Sequence, residues 1–341
     1  MSAAAPIPFF GRSFKVELTQ NPGALSSGTT TLANSTWGNE SLRLTFDTER
    51  FVKGDASPYW ICDVSIYNLN NPTLAYVVNQ GDQLTLSAGY NYGTSPGVSN
   101  IIFQGKILQS ILERDNVVDS ILTIRCIASL LEDRSVYVEV TLNQPWTQAD
   151  AVRAVAAKAN IHVNFLDESL TGKTFPRGRT ITESASKYFA EVASDNKLQY
   201  VLDWNGLSIK SLTPDSAVPD QVFAPPRITS IPNSQSSTGS TKQTLIGVPQ
   251  QTQEGITFKV LLDSSIELFQ LVKLDMSSAG RLLYSPDPNG PIPSINEDGI
   301  YSVAGLRHYG DSRGNDWYTE VIGVTRQWAQ ITGAGKTGTT S

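Results

Sequence analysis

The chain has 341 residues, of which 40% are hydrophobic and 17% are charged, and its formal net charge is −6. That length can bury two or three ordinary cores, since domains usually hold roughly 100 to 200 residues. The acidic balance argues against tight nucleic-acid binding, which needs a basic surface for the phosphate backbone. We therefore expect a soluble multidomain protein that does not bind nucleic acid tightly.

Residues 1–10 lack the basic flank and the continuous apolar run of a secretion signal. We find no run of roughly 18 apolar residues, the length that a membrane-spanning helix needs. We therefore expect synthesis and folding in a cytoplasm and no membrane span. Cys62 and Cys126 lie in apolar strand patterns, which favours buried thiols over a disulfide or a metal site.

Apolar and polar residues alternate at the period of a β-strand over about residues 40–140. Gly105 lies within an apolar strand pattern and marks a bulge or a close backbone approach. We expect a loop at 89–97, a helical turn at 73–78 and an acidic turn at 115–116. The predicted strands cover residues 42–46, 60–66, 84–86, 101–108 and 121–128. Five or six strands at this spacing predict a closed or nearly closed antiparallel barrel.

Helical spacing occurs between residues 140 and 212. Thr147 followed by Asp150 predicts a capping box at the start of a helix over 148–159, and a strand is expected at 161–165. A second helix is predicted to start at Thr180 and to end near residues 195–196. We interpret the apolar stripes of both helices as core.

A hairpin completes this middle region. Asn205-Gly206 predicts a two-residue turn between strands at 198–202 and 207–210, because both turn positions tolerate positive φ. The middle region is therefore predicted to be a small α/β domain with two helix-then-strand units.

The period of a β-strand returns between residues 245 and 328. Residues 213–226 and 233–243 are predicted to be linkers or long loops, and the Pro-rich stretch 277–299 an exposed excursion or insert. Strands are predicted at 256–262 and 269–275. A hairpin is predicted over 301–321 with its turn at 311–316, and a flexible tail from residue 332.

Candidate motifs for chemistry are weak. Residues 333–337 resemble part of a phosphate loop, but Gln330 stands where that motif needs Gly. Asp311, Asn315 and Asp316 lack the distal Glu of a calcium loop, so a solvated hairpin tip is the better interpretation. His308 has no Cys or second His nearby, which favours a structural or interface role over a base paired with a Ser nucleophile.

Two further possibilities stay open at this stage. Paired carboxylates for glycoside hydrolysis exist among 32 acidic residues, yet no pair stands out by an apolar context. A sugar-binding aromatic platform would use Trp60, Trp146, Trp204 and Trp317, although packing is the commoner role for such residues. We assign no catalytic, cofactor-binding or metal-ligating residue, and we expect neither an enzyme nor a cofactor.

Several segments in order resemble the baseplate hub proteins of tailed bacteriophages. Residues 60–69, 81–82, 84–90 and 102–107 resemble the first barrel of that family. The family's second barrel is similar to four later segments, residues 245–250, 255–263, 306–311 and 317–319. These segments are packing and turn patterns, and their specificity comes from their order along most of the chain.

The resemblance implies a mainly β fold in which two tail-tube-like antiparallel barrels flank a small α/β domain. The implied domains are 1–138, 139–214 and 215–331, the last with an insert at about 277–299, followed by a flexible tail at 332–341. It also implies a virion protein, a homotrimer whose pseudo-six-fold ring joins a hexameric tail tube to a trimeric spike or tail-tip protein. Further implied partners are the tape-measure protein and other baseplate proteins, with DNA passing through the channel unbound.

Two other functions compete with a structural hub. A carbohydrate- or receptor-binding tail module would need aromatic side chains exposed together in a groove. A cell-wall hydrolase of the tail tip would need a catalytic site. From the net charge we further expect an acidic channel wall that repels DNA.

Overall fold

The computed structural model describes residues 11–20, 28–35, 42–52, 59–69, 82–90, 98–114, 119–128, 136–204, 206–211, 220–223, 241–242, 244–251, 255–274, 283–284 and 299–324. Over these ranges the chain is mainly β, with 22 strands and two α-helices. The predicted helical turn at 73–78, the acidic turn at 115–116, the phosphate-loop-like segment and the tail lie outside the described residues.

Seven antiparallel strands form the first part of a large sheet, in the order β2-β1-β5-β6-β7-β4-β3. They are β1 (Arg12–Gln20), β2 (Gly28–Ser35), β3 (Leu44–Phe51), β4 (Tyr59–Tyr67), β5 (Gln83–Tyr90), β6 (Val98–Arg114) and β7 (Ser120–Ala128). The strand predictions for β3, β4, β5 and β7 are confirmed. Strands β1 and β2 were not predicted, although β1 buries alternate residues like the others. Gly89 belongs to β5 and not to the predicted loop.

Strand β6 is longer than predicted because it continues past a bulge between Ile107 and Gln109. Gly105 precedes that bulge, and a Cβ added to it would lie 2.2 Å from the carbonyl oxygen of Ile127. The alternative of a close backbone approach is therefore the correct one for Gly105. Alternate side chains of all seven strands fill a first core that also takes Leu262 and Trp317 from far along the chain.

The middle region has its own core between Val138 and Ile209. Its elements are β8 (Tyr137–Leu142), β9 (Trp146–Thr147), α1 (Gln148–Lys158), β10 (Val163–Leu166), a 3-10 helix (Glu168–Thr171), β11 (Thr174–Phe175), β12 (Arg179–Ser184), α2 (Ala185–Asp195), β13 (Gln199–Asp203) and β14 (Gly206–Lys210). They form a three-stranded sheet β10-β14-β13 and the antiparallel pairs β11-β9 and β12-β8. Helix α1 and its capping box at Thr147 and Asp150 confirm the prediction.

Two predictions for the middle region were wrong. Thr180 does not start a helix, because residues 179–184 form β12 and pair with β8; helix α2 begins at Ala185 after the N-cap residue Ser184. The hairpin exists, but Asp203 pairs with Gly206, so Gly206 is a strand residue and not a turn residue. Gly206, with φ of +119°, is thus the first paired residue after the loop.

The last part of the chain continues the large sheet. Its strands are β15 (Gln221–Phe223), β16 (Thr241–Lys242), β17 (Leu245–Gln251), β18 (Gly255–Leu261), β19 (Leu271–Leu274), β20 (Leu283–Tyr284), β21 (Ile300–Asp311) and β22 (Trp317–Val324). Strands β18, β21 and β22 confirm the predictions there. Short strands β15, β16 and β20 lie in stretches predicted to be linkers or an excursion. A third core lies under these strands.

The same strand order occurs twice in the large sheet. The first part has β3-β4-β7-β6-β5, and the last part has β17-β18-β22-β21-β19. In each part the long hairpin carries a bulge, between Ile107 and Gln109 in β6 and between Val303 and Gly305 in β21. Six residues follow each bulge in register with the partner strand. The two halves therefore share topology and the position of an irregularity.

One seam joins the two halves. Strand β3 pairs with β21 over seven residues, from Phe51 opposite Gly305 to Thr45 opposite Asp311. Along the described residues the main strand path is open, with β2 and β20 at its ends. The two β-rich regions predicted as separate units thus form one continuous sheet.

Candidate functional surface

A band of paired charges crosses the seam on the sheet face opposite the cores. Arg307 projects there because its neighbours Leu306 and His308 point into the core. Its Nη2 lies 2.5 Å from Oδ2 of Asp47, and its Nε lies 2.9 Å from Oδ1 of the same carboxylate and 3.4 Å from Oε1 of Glu49. The hydrogen bond to Asp47 is the main cause that raises the pKa of Arg307.

The band continues along both halves. In the first half, Nε and Nη2 of Arg125 on β7 each lie 2.8 Å from an Asp63 carboxylate oxygen on β4. In the last half, the hydrogen bond that Lys259 donates to the Tyr309 hydroxyl oxygen is the main cause that raises the pKa of Lys259. Exposed ion pairs of this kind add little stability. Their consequence is that the guanidinium groups of Arg125 and Arg307, although they lie on the surface, are already hydrogen-bonded to carboxylates.

Arg12 and Arg43, from the first half of the chain, hydrogen-bond to the hairpin tip at residues 311–316. Nη1 of Arg12 lies 2.6 Å from the carbonyl oxygen of Asp311 and 2.5 Å from that of Gly314. Nη2 of Arg43 lies 2.6 Å from Oδ2 of Asp311. Among the described residues, no group of three or more His, Cys, Asp or Glu is arranged to hold a metal ion. The tip is therefore a turn clamped onto the first half of the sheet.

His308 is a core residue. It is 5% exposed, and its Nδ1 lies 2.8 Å from Oγ1 of Thr319, which is fully buried. Since the amide of Asp263 donates to the same hydroxyl, that hydroxyl can donate its own proton to Nδ1. Burial lowers the pKa of His308 to about 4, so the ring is neutral at pH 7. The burial of both side chains and their mutual hydrogen bond favour the structural interpretation of His308.

The two cysteines face each other across β4 and β7. Cys62 pairs with Cys126 in the antiparallel register, and both are free, buried thiols. Burial raises the pKa of both side chains. The prediction of buried thiols is confirmed, and neither group has the character of a reactive thiolate.

The tryptophans singled out by the sequence do not form an exposed platform. Trp60, Trp146 and Trp317 are at most 6% exposed. Trp204 packs against Trp60 with ring centroids 4.1 Å apart. These side chains fill cores and the contacts between them, which removes the arrangement that the carbohydrate-binding alternative needs.

A cavity of about 180 Å³ lies where the three cores meet. The Arg50 guanidinium stacks 4.2 Å from the centroid of the Trp60 ring at this place. Residues that line the cavity include Arg50, Trp60, Trp204, Lys210, Glu267 and His308. It is a polar cavity between the three parts of the chain.

Sequence reasoning missed the residues of the seam. Asp47, Glu49 and Arg307 occupy polar positions of alternating strands, and their opposite charges were the available signal. Pairing them requires knowing that β3 lies beside β21, and the alternation within each strand does not carry that information.

In the described part of the chain, no helix is long and apolar enough to cross a membrane.

No protein-family model and no curated protein sequence matches the chain significantly. Solved structures do match. A 43 kDa tail protein of prophage MuSo2 from Shewanella oneidensis aligns with a TM-score of 0.51 and 12% identity, covering 93% of this chain and 99% of that one. A tail protein from Neisseria meningitidis MC58 aligns with a TM-score of 0.55 and 12% identity, covering 94% and 98%. This chain thus shares the fold of these two tail proteins over nearly its full length.

Proposed function

We propose that the chain is a structural baseplate hub of a phage tail, located in the virion. The observation that carries this proposal is the repeated strand order together with the seam that joins the two halves edge to edge. A chain with two like halves can supply two like walls of a ring. Three such chains would make a pseudo-six-fold ring that adapts a hexameric tail tube to a trimeric spike or tail-tip protein.

The proposed ring consists of two tail-tube-like barrels from each chain. We assign the first to residues 1–138 and the second to 215–331, with an insert at about 277–299, on either side of the α/β domain at 139–214. Separate first, middle and last cores support this division. The tape-measure protein and other baseplate proteins are further proposed partners.

The charge-paired face of the sheet is the proposed wall of the DNA channel. In chain order, the charged residues of this face include Asp47, Glu49, Asp63, Lys106, Glu113, Arg125, Lys259, Arg307 and Glu320. Carboxylates outnumber cations in this set, and the arginines are already paired, so the face provides few free cations for phosphates. This composition favours passage of DNA during genome ejection over binding. An assembled inner wall rich in unpaired Lys and Arg would contradict it.

The direct test is the mass of the purified chain, measured by light scattering with and without its tail-tube protein. We expect a complex that contains three copies, about three times the 37.0 kDa of one chain, when the tube protein is present. The free chain can be only weakly trimeric, because the partner contributes buried surface. A chain that stays monomeric or dimeric and never joins the tube would refute the proposal.

A peptidoglycan zymogram tests the proposed absence of enzymatic activity. A structural hub leaves the gel uncleared at every pH. Clearing by the purified chain would favour the tail-tip hydrolase instead.

A further inference from the structure

Along the described residues, the part of β6 from Ile111 to Arg114 has one edge that no strand covers. Up to Lys106, β6 pairs with β5 on that edge. Beyond the bulge, residues 111–114 pair with β7 on one side, and no described strand lies on the other. Ile111 and Leu112 are 39% and 57% exposed. An unpaired edge with exposed apolar side chains is a template for another strand.

The equivalent edge in the last half of the chain is covered. Counted from the bulge, Leu112 of β6 corresponds to His308 of β21 and Glu113 corresponds to Tyr309. Strand β3 pairs with the edge of this part of β21, and the side chain of His308 is only 5% exposed there. Among the described strands, one position is therefore occupied in the last half of the repeat and unoccupied in the first.

The repeated strand order also indicates which strand would cover the open edge of β6. Strand β17 occupies in the last half the place that β3 occupies in the first, at the outer side of β18 and β4 respectively. The residues of β17 that correspond to Asp47 and Thr48 are Gln250 and Gln251. Three residues of β17, 247–249, stand where β3 has one, and the two extra residues preserve the alternation of faces.

We infer that the open edge of β6 receives β17 of a second copy of this chain. The pairing is antiparallel, with Leu112 opposite Gln251 and Glu113 opposite Gln250, as His308 and Tyr309 lie opposite Thr48 and Asp47 at the seam. Different edges meet in this contact, so it is heterologous and repeats around a ring. The inference rests on the proposed function and names the surfaces through which its copies join.

Strand β20 occupies the place that the second copy needs. It pairs in parallel with β17 at the same two residues, Gln250 and Gln251. This bridge spans two residue pairs, whereas the seam between β3 and β21 spans seven. Strand β20 therefore has to leave β17 for the second copy to pair there.

Paired cysteines test the register. Residues directly opposite each other in an antiparallel pair bring their Cβ atoms to about 4.5–5.5 Å, near the separation that a disulfide needs. Two variants of the full chain are needed: Leu112→Cys with Gln251→Cys, and Glu113→Cys with Gln250→Cys. Successive residue pairs of an antiparallel ladder alternate between hydrogen-bonded and non-hydrogen-bonded pairs, and the side chains are closer in the second kind. The matched control is Glu113→Cys with Gln251→Cys, whose side chains point to opposite faces.

Each variant is oxidised together with the tail-tube protein and analysed by non-reducing electrophoresis. We expect covalent multimers from at least one in-register variant and monomer from the control. If the wild-type chain assembles by light scattering but neither variant cross-links, or the control cross-links equally, the assignment of edges is overturned while the proposed hub stands. If the wild-type chain never assembles, both fall.

A double proline substitution tests the displacement of β20. Leu283→Pro combined with Tyr284→Pro removes both backbone N–H groups of β20, so any hydrogen bond that β20 donates to β17 is lost. In the cross-linking background, this change is expected to speed multimer formation. An unchanged rate would overturn the exchange of β20 for the second copy.

Discussion

His308 couples the stability of the protein to pH. Its pKa is lowered from an ordinary value near 6.5 to about 4, first by burial and then by Arg50, against an opposing effect of Asp263. Between these values the unfolded chain binds a proton that the folded chain does not, so stability rises with pH there. The contribution is complete above about pH 6.5 and is lost as the pH falls to about 4.

We expect the wild type to lose about 3 kcal/mol of unfolding free energy between pH 7 and pH 4 through this group. In His308→Gln, whose side chain can still hydrogen-bond with Thr319, that part of the pH dependence should be absent. Urea denaturation of both proteins at several pH values measures the difference, since carboxylates titrate alike in both. Parallel stability curves would contradict the prediction.

Gly105 is required by the close approach of β6 to β7. A Cβ at this position would lie 2.2 Å from a backbone oxygen, which cannot move without disturbing the ladder. Gly105→Ala should therefore cost about 2 kcal/mol or more. Gly28→Ala is the control, because nothing lies within 4 Å of its added Cβ. Thermal unfolding that shifts equally in both variants would argue against this account.

At the scale of elements, local signals predicted α1 correctly. The Thr147 hydroxyl accepts a hydrogen bond from the amide of Asp150, and the Asp150 carboxylate accepts one from the amide of Thr147. Thr147 and Asp150 are only three residues apart, so the complete capping box can be recognised in the sequence. A similar spacing from Thr180 to Glu183 was misleading, because pairing of β12 with β8 holds those residues extended.

The two helix caps offer a matched pair of substitutions. Thr147→Ala should destabilise the protein by about 1 kcal/mol, because it removes the capping bond of α1. Ser184 precedes α2 without a side-chain capping bond, so Ser184→Ala should stay within about 0.5 kcal/mol. Chemical denaturation measures both values. A larger loss for Ser184→Ala would show that the capping geometry does not decide the difference.

At the scale of the whole molecule, the seam makes the two halves interdependent. Trp317 lies at the start of β22, yet its ring packs in the first core, 5.2 Å from the Phe46 ring, and its Nε1 donates to the carbonyl oxygen of Gly89 at 3.2 Å. With β3 paired to β21, we expect opening of either half to expose the other.

Trp317→Ala should cost about 3–5 kcal/mol, the range for loss of a buried aromatic side chain. Hydrogen exchange should then quicken both in β3–β7 and in β18–β22. Trp146→Ala is the control, since Trp146 lies in the core of the middle region and its loss should quicken exchange mainly there. Faster exchange confined to one half in Trp317→Ala would show that the seam does not couple them.

The sequence by itself determined the local features: the alternation of β3, β4, β7, β18, β21 and β22, the capped start of α1, and the burial of both cysteines. These follow from neighbours within a few residues, where side-chain period and hydrogen-bonding reach are set by the backbone. Only the tertiary structure decided that β3 lies beside β21, that Arg307 meets Asp47, and that no described strand covers the edge of β6 beyond its bulge. Contacts between residues about 260 positions apart leave no local pattern, since many strands of the same period could have paired there.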